Sequence, residues 1–341
     1  MPTVAPLPTY LATVLPGLEG VLSAEIAAKL PGCRSEGATR GKVYFSCIAT
    51  PDFSALRTAD NVYLRIGGVR AGPHRDDLPA LAVAVRGLPF PVVDRPRPTF
   101  WVNGSRVGRQ TYSRFAAAAA ATEGIAERFP DWQPGTPERA DLEFRLDVQG
   151  PEALLSLRLT PPTFRYRTAG RAFSPAALRP TVAHGLIWLS RPAAADRFLD
   201  PFCGSGTLLA ERLAYPAAAV YGGDVSPLAL AAARQNLGDS DRVVLRVWDA
   251  TSLPLERHSV DRVVSNLPFG RQITAAEGIP ALYTGFAREL RRVLAPTGTA
   301  ILLTDQGEAL QEATARHGLA CEEVLLLSLK GRHPRVYRVT P

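Results

Sequence analysis

Apolar and polar residues follow different periods in three successive blocks of this chain. In the first block, residues 10–14 and 41–47 alternate as strands do, and residues 18–30 carry apolar side chains at helical spacing. A Pro-Gly dipeptide stands on either side of the helical segment, and such dipeptides favour turns. The pattern predicts a small α/β unit at residues 1–65.

The second block, residues 66–165, predicts several strands around one helix. The helix is expected at residues 113–129, where the hydroxyl of Ser113 can cap its N-terminus. Residues 166–179 follow as an arginine-rich linker that ends at Pro180, a residue suited to the first turn of a helix. The strands are expected at residues 100–102, 141–148 and 154–159.

The third block, residues 180–341, alternates strands with helices in the rhythm of a doubly wound, mostly parallel sheet. Its last two apolar runs, residues 321–329 and 336–339, are close in sequence and predict an antiparallel pair at the sheet edge. Strands are predicted to end near Asp200, Asp224, Asp249, Asn266 and Asp305, and further helices to span residues 207–214, 227–237, 280–294 and 306–317.

Polar residues at these strand ends indicate a nucleoside-binding site, because open α/β sheets bind ligands where their strands end. Asp200 precedes a Gly-Ser-Gly-Thr turn in which glycine lets the backbone approach a ligand closely. Asp224 is placed to accept ribose hydroxyls, and Asp249 to contact an adenine edge. The predicted cofactor-binding residues are Asp200, Phe202, Gly204, Gly206, Thr207, Asp224, Val225, Asp249, Ala250 and Asn266.

A nicotinamide-dependent dehydrogenase is the alternative interpretation of the glycine turn. Gly204 and Gly206 match the start of the dinucleotide fingerprint, and Asp224 lies near the distance expected for its ribose acid. Leu209 nevertheless fills the position of the third glycine. A dehydrogenase also has no use for the Asn-Leu-Pro-Phe sequence that begins at Asn266. Both features argue against this alternative.

Composition and charge fit a globular protein that binds a polyanion. Hydrophobic residues make up 46% of the chain and charged residues 21%, and the formal net charge is +7. The positive charge is almost entirely arginine, which clamps phosphates and stacks on bases. A biased genome composition would also raise the arginine count, but it does not explain the excess of positive charge. The segment from residue 86 to residue 114 contains six arginines and one acidic residue, Asp94.

The four cysteines are far apart and form no C-x-x-C pair, so we expect neither a zinc site nor a disulfide framework. We expect no other metal. The N-terminus lacks a basic start followed by an apolar run, and no segment has the length of a membrane span. These features predict a cytoplasmic protein without a membrane partner.

The sequences Asp200-Pro-Phe-Cys-Gly-Ser-Gly-Thr207 and Asn266-Leu-Pro-Phe-Gly270 resemble the cofactor loop and catalytic loop of S-adenosylmethionine-dependent methyltransferases that modify amine or amide nitrogens. Leu267 replaces the first proline of the usual catalytic loop, as in some RNA guanine-N2 methyltransferases. The resemblance implies that the cofactor is S-adenosyl-L-methionine. It also implies four catalytic-loop residues: Asn266 and the backbone near Leu267 would hold the target amine, Pro268 would stiffen the loop, and Phe269 would stack on the base.

Nearly the whole chain resembles the THUMP-containing RNA methyltransferases. This resemblance implies a ferredoxin-like unit at residues 1–65, a THUMP domain at 66–165, the linker at 166–179 and a Rossmann-like methyltransferase domain at 180–341. In that family the N-terminal half grips the acceptor end of tRNA, and similar members methylate guanosine N2 at the sixth nucleotide. The arginines proposed to contact RNA are Arg95, Arg97, Arg106, Arg109, Arg165, Arg167, Arg171 and Arg271.

Other targets and other functions stay open at this stage. Relatives act on the tenth nucleotide of tRNA or on large-subunit ribosomal RNA, and similar catalytic loops methylate adenine N6 in DNA or protein glutamine. A non-catalytic RNA-binding scaffold is a further alternative, although the glycine turn and Asn266 are intact. No sequence feature points to an obligate protein partner.

Overall fold

A computed structural model describes residues 7–167, 177–238, 240–268, 278–329 and 331–341. The described residues form two β-sheets, one in each half of the chain. The N-terminal half contains β1 (Thr9–Thr13), α1 (Glu19–Lys29), β2 (Cys33–Thr39), β3 (Lys42–Cys47), β4 (Asn61–Arg70), α2 (Leu78–Arg86), β5 (Thr99–Val107), α3 (Arg114–Arg128), β6 (Gln133–Pro134), β7 (Leu142–Gln149) and β8 (Glu152–Arg158).

The strands of the N-terminal half form one eight-stranded sheet in the order β2-β3-β1-β4-β8-β7-β5-β6. Helix α1 packs against β2 and β3, α2 against β4, and α3 against β5 and β7. The Ser113 side chain accepts a hydrogen bond from the amide of Ala116, which confirms the predicted cap of α3. The sheet is continuous across residue 65, because β4 pairs with both β1 and β8.

Cys33 and Cys47 are joined by a disulfide in this sheet. The expectation that the chain has no disulfide is therefore wrong. The two cysteines are 14 positions apart in sequence, but the β2–β3 register places them directly opposite each other. Spacing along the chain could not reveal this pair, since the pairing depends on β2, which sequence periodicity did not indicate.

The C-terminal half forms a seven-stranded sheet in which only β15 runs against the others. The strand order is β11-β10-β9-β12-β13-β15-β14, so the predicted antiparallel pair at the sheet edge is confirmed. This half contains α4 (Pro180–Leu189), β9 (Arg197–Asp200), α5 (Thr207–Arg212), β10 (Ala219–Asp224), α6 (Pro227–Leu237), β11 (Val243–Val247), β12 (Val260–Asn266), α7 (Gly278–Val293), β13 (Leu294–Thr304), α8 (Gly307–Arg316), β14 (Ala320–Leu326) and β15 (Arg335–Thr340).

The two halves share part of their hydrophobic core. Leu18 and Leu22 of the N-terminal half are buried in one cluster with Val182 and Leu186 of α4. Gly185 allows this packing, because a Cβ atom there would lie 3.1 Å from Leu18 Cδ2. A larger residue would push α4 away from the N-terminal half. The start of the C-terminal half is therefore fixed by contacts with the N-terminal half.

Candidate active site

A cleft of about 590 Å³ opens at the carboxyl ends of β9, β10 and β12. This position agrees with the general rule for ligand binding in open α/β sheets. The cleft contains most of the residues predicted to bind a cofactor. Its lining consists of Ala177, Leu178, Asp200, Pro201, Phe202, Cys203, Gly204, Ser205, Thr207, Leu208, Asp224, Val225, Ser226, Asp249, Ala250, Asn266, Pro268 and Leu282.

The glycine turn between β9 and α5 has a backbone conformation that suits glycine. Gly204 and Gly206 have φ values of 51° and 78°, in the left-handed region that other residues rarely adopt. Gly206 does not line the cleft; it forms the N-cap of α5, and a Cβ atom there would lie 3.2 Å from Ala233 Cβ. Gly204 presents its backbone directly to the cleft.

Asp224 at the end of β10 joins this turn to the start of the next helix. Its Oδ2 accepts from the amide of Gly204 at 2.9 Å, and its Oδ1 accepts from the amide of Ser226 at 2.9 Å. A carboxylate oxygen can accept more than one hydrogen bond, so both oxygens keep capacity for ligand hydroxyls. The two amides therefore fix a carboxylate that faces the cleft.

Asp200 at the end of β9 is the most deeply buried acid of the cleft, at 1% exposure. Its Oδ1 accepts from the Ser265 hydroxyl at 2.7 Å and from the amide of Phe202 at 3.2 Å. Burial raises the pKa of Asp200 to about 7, and the nearby charge of Asp224 acts in the same direction. A cation bound nearby would offset the free-energy cost of burying the Asp200 carboxylate.

Asp249 follows β11 and accepts from the amide and the hydroxyl of Thr251, both at 2.8 Å on Oδ1. This turn holds the carboxylate at the rim of the cleft, where Ala250 also contributes to the lining. Phe202, Thr207 and Val225 line the cleft as well. Together these residues form a mostly apolar wall with three carboxylates, which suits an adenosine bearing a cationic group.

Asn266 at the end of β12 has a buried side-chain oxygen, Oδ1, with no hydrogen-bond partner among the residues that the structure describes. An unsatisfied buried acceptor costs free energy, and in a cleft it marks the place of a missing donor. Pro268 lies beside it in the lining, and the Pro268 carbonyl accepts from the Tyr283 hydroxyl at 2.9 Å. The hydroxyls of Tyr283 and Thr304 are 2.8 Å apart, so the loop is tied to β13.

Leu267 does not reach the cleft. Its side chain is 1% exposed in the core beneath α7, and its amide donates to the Leu303 carbonyl at 3.0 Å. Leu267 therefore anchors the backbone of the loop that begins at Asn266. Phe269, Arg171 and Arg271 lie outside the described residues, so their expected roles stay predictions.

Several lining or supporting residues escaped the sequence analysis. Ser265 and Tyr283 act through hydrogen bonds to Asp200 and Pro268, and these partners are 65 and 15 positions away. Ala177 and Leu178 line the cleft, although the sequence analysis placed them in the linker. The sequence does contain a clue to their position. Pro180 marks the start of a helix that must lie near the sheet, so the residues just before it must lie near the sheet as well.

The four arginines near β5 that are expected to contact RNA are exposed. Arg95 pairs with Asp141 at 3.1 Å, and Arg106 donates to the Gln110 carbonyl at 2.8 Å. Exposed pairs of this kind cost little to exchange for a phosphate. Arg97 and Arg109 are likewise exposed, and these four residues flank or end β5.

The other two described arginines expected to contact RNA, Arg165 and Arg167, differ from each other. Arg165 is half-buried, and its guanidinium lies 4.6 Å from the ring centre of Tyr166. Arg167 is 15% exposed and is engaged inside the protein, where it pairs with Glu211 at 3.2 Å and also donates to the Arg57 carbonyl. Arg167 therefore joins the two halves of the chain and is not free to bind phosphate.

Within the described ranges, no group of three or more His, Cys, Asp or Glu side chains is arranged to hold a metal ion. Over the same residues, every helix is too short or too polar to cross a bilayer.

Comparisons with known proteins point to RNA methyltransferases. Residues 167–335 match the UPF0020 family, an RMKL-like methyltransferase domain. The tRNA (guanine(6)-N2)-methyltransferase of Thermus thermophilus is 31% identical over 339 residues, covering 96% of this chain and 97% of that protein. The crystal structure of TrmN from Thermus thermophilus superposes with a TM-score of 0.83 at 29% identity, over 98% of this chain and 99% of that one.

A more distant structure has the same fold. SMU.472, crystallised in complex with SAH, superposes with a TM-score of 0.78 at 16% identity, over 98% of each chain. At this identity the likeness concerns the fold alone. It extends through both halves of the chain, so the N-terminal sheet and the methyltransferase sheet occur together in both proteins.

Proposed function

Because the chain belongs to the family of the Thermus thermophilus tRNA (guanine(6)-N2)-methyltransferase, we propose that it methylates the N2 amine of a guanosine in tRNA. The methyl donor is S-adenosylmethionine, and the target is the sixth nucleotide, in the acceptor stem. The fold class expected from the sequence, a Rossmann-like methyltransferase domain behind a ferredoxin-like unit and a THUMP domain, agrees with the family and its structures.

The observation that carries this proposal is the Oδ1 of Asn266, which lies in the same cleft as the glycine turn and has no partner within the described ranges. The N2 amine of guanine has two N–H donors and a lone pair that is delocalised into the ring. Asn266 Oδ1 accepts one N–H, and the second lone pair of the Pro268 carbonyl is available for the other. These two bonds would orient the amine, and orientation can supply much of the rate acceleration.

The cleft residues also fit the cofactor. Asp224 is placed for the ribose hydroxyls, Asp249 for the adenine edge, and the Gly204 backbone for the amino-acid part of the ligand. When bound, S-adenosylmethionine supplies a methyl group on a sulfonium centre, which departs as a neutral thioether. A good leaving group removes the need for a strong base before transfer, so the acceptors need only hold the amine in place. The methylated N2 is then cationic and would release one proton to water.

The N-terminal half would hold the RNA. Arg95, Arg97, Arg106 and Arg109 carry exposed positive charge suited to phosphates of the acceptor stem and 3′ end. A nucleotide inside a stem must be flipped out before its amine can enter the cleft. We assign RNA binding to residues 1–65 and 66–165, the linker to 166–179 and the reaction to 180–341.

We propose further that the enzyme acts in the cytoplasm, with tRNA as its partner and without an obligate protein partner. The Cys33–Cys47 disulfide is the feature least in keeping with a reducing compartment. Two alternative targets share the same cleft chemistry, namely the tenth nucleotide of tRNA and large-subunit ribosomal RNA, and the choice among them depends on how the N-terminal half positions the substrate.

The test uses two unmodified tRNA transcripts that differ only in one exocyclic amino group. The protein is incubated with radiolabelled S-adenosylmethionine and a tRNA carrying guanosine at position 6, or the same tRNA with inosine there, which lacks the 2-amino group. We expect N2-methylguanosine at position 6 in the first tRNA and no transfer to the second. Equal labelling of both tRNAs would overturn the proposed target.

A further inference from the structure

Residues 57–60 of the N-terminal half contact both ends of the linker and the two helices that follow it. On one side, Arg57 pairs with Glu211 at 2.9 Å, and its carbonyl accepts from Arg167. On the other side, the carboxylate of Asp60 accepts from Arg179 at 3.2 Å and from the Thr181 hydroxyl at 2.8 Å. One short segment therefore holds both flanks of the connection to the C-terminal half.

This segment is itself firmly fixed in the N-terminal half. The buried carboxylate of Glu25 accepts from the amides of Arg57 and Thr58, each at 2.9 Å. The amide of Asp60 donates to the Thr13 carbonyl of β1 at 2.7 Å, and Ala59 is fully buried. Asp60 is thus attached to the N-terminal sheet and can transmit the position of that sheet.

The far end of these contacts leads directly to the cofactor cleft. Arg179 and Thr181 stand on either side of Pro180 at the start of α4. Leu178 and Ala177, which immediately precede Arg179, line the cleft with Gly204 and Asp224. Leu178 is 9% exposed and packs in the core cluster that both halves share. Asp60 is not among the described residues that line the cleft, and its bonds to Arg179 and Thr181 connect it to the cleft through the start of α4.

We propose that Asp60 is a positioning residue for cofactor binding. Its bonds to Arg179 and Thr181 fix the start of α4 and hold Leu178 against the cleft, so the N-terminal half contributes to cofactor affinity without touching the cofactor. This inference rests on the proposed function only in taking the cleft as the cofactor site. It assigns to the N-terminal half a second role beside RNA binding.

The test is calorimetric binding of S-adenosylhomocysteine to the full-length protein, with thermal unfolding measured on the same samples. Asp60→Ala is expected to raise Kd about tenfold, which corresponds to about 1.4 kcal/mol. Asp60→Asn keeps an acceptor for Thr181 and loses only the charge facing Arg179, so a smaller increase is expected. Glu36→Ala is the matched control, because it breaks a comparable exposed pair with Arg65 elsewhere in the N-terminal half.

A double-mutant cycle separates positioning from general loss of stability. Leu178→Ala should itself raise Kd, and adding Asp60→Ala should then have little further effect, because the two residues act in series. The cofactor KM should rise with Kd in Asp60→Ala while kcat stays within about twofold. If Asp60→Ala does not fold, Thr181→Val, which removes a single hydroxyl, takes its place.

The outcomes are distinct. An unchanged Kd in Asp60→Ala or Thr181→Val, or an equal rise in Glu36→Ala, overturns the positioning role. Fully additive effects of Asp60→Ala and Leu178→Ala also overturn it. If the wild-type protein binds no S-adenosylhomocysteine, the proposed function itself fails.

Discussion

Tyr283 of α7 donates its hydroxyl to the Pro268 carbonyl at 2.9 Å and thereby fixes the catalytic loop from below. Both partners of this bond are enclosed by the protein: Tyr283 is fully buried, and Pro268 lines the cleft from the other side. Burial of the phenol raises the pKa of Tyr283, so the group stays a neutral donor at every physiological pH. The carbonyl that would orient the target amine therefore has a fixed direction.

We predict that Tyr283→Phe lowers kcat about fivefold, since a buried hydrogen bond contributes about 1 kcal/mol and its loss leaves the direction of the Pro268 carbonyl unfixed. The Kd for S-adenosylhomocysteine should stay within about twofold, because Tyr283 does not line the cleft. Tyr337→Phe is the control, as it removes the hydroxyl of another buried tyrosine in the same core cluster. Equal losses of kcat in both variants would show that Tyr283 has only a structural role.

The raised pKa of Asp200 predicts that the stability of the protein falls as pH rises. Its pKa is raised from 3.8 to about 7 by burial, so between these pH values the folded protein holds a proton that the unfolded chain has lost. The free energy of unfolding therefore falls as pH rises through this window. Asp200→Asn should be more stable than wild type at pH 8, on the order of 2 kcal/mol.

Chemical denaturation of the ligand-free protein at pH 4 to 8 checks this prediction. The difference between Asp200→Asn and wild type should shrink as pH falls below 7 and should vanish near pH 4. A difference that is constant across this range would mean that Asp200 does not titrate there.

Glu211 predicts the opposite dependence. Burial alone would raise its pKa, but His184 at 3.3 Å and the charges of Arg167 and Arg57 outweigh burial and lower the pKa to about 2. The stabilisation is therefore complete above pH 4.5 and is lost as pH falls toward 2. Glu211→Gln should cost about 3 kcal/mol at pH 7, because it removes the buried carboxylate that pairs with the partly buried guanidinium groups of Arg57 and Arg167.

Urea unfolding at pH 7 and at pH 3 measures this effect. Glu36→Gln serves as the comparison, since its exposed pair with Arg65 should contribute less than about 1 kcal/mol. If Glu211→Gln and Glu36→Gln lower the free energy of unfolding equally, the pairs of Glu211 with Arg57 and Arg167 do not hold the two halves together.

Sequence patterns predicted the C-terminal half more accurately than the N-terminal half. The expected helix at residues 227–237 coincides with α6 (Pro227–Leu237), because apolar spacing and an N-terminal Ser-Pro mark its start. Strand β2 was missed, since its side chains are almost all exposed and show no alternation. Helix α2 was also missed. Strand β4 continues through residue 65, where the sequence pattern predicts the end of the N-terminal α/β unit.

Some residues of the candidate site could likewise be predicted from sequence and others could not. Asp200, Asp224 and Asn266 could be found from sequence, because strand ends converge in a parallel sheet whatever the details of packing. The groups that hold them could not, because Ser265, Tyr283 and Asp60 act through contacts that only the folded chain creates. The Asp60 contact spans 121 positions in sequence.

Methyl transfer by Asn266→Ala tests the central claim most directly. The measurement is single-turnover methylation of unmodified tRNA, with the binding of S-adenosylhomocysteine and of tRNA measured on the same variant. We predict that transfer falls at least a hundredfold while both Kd values stay within about threefold, because Asn266 holds the amine and contributes little to binding. Wild-type transfer by Asn266→Ala would contradict the account.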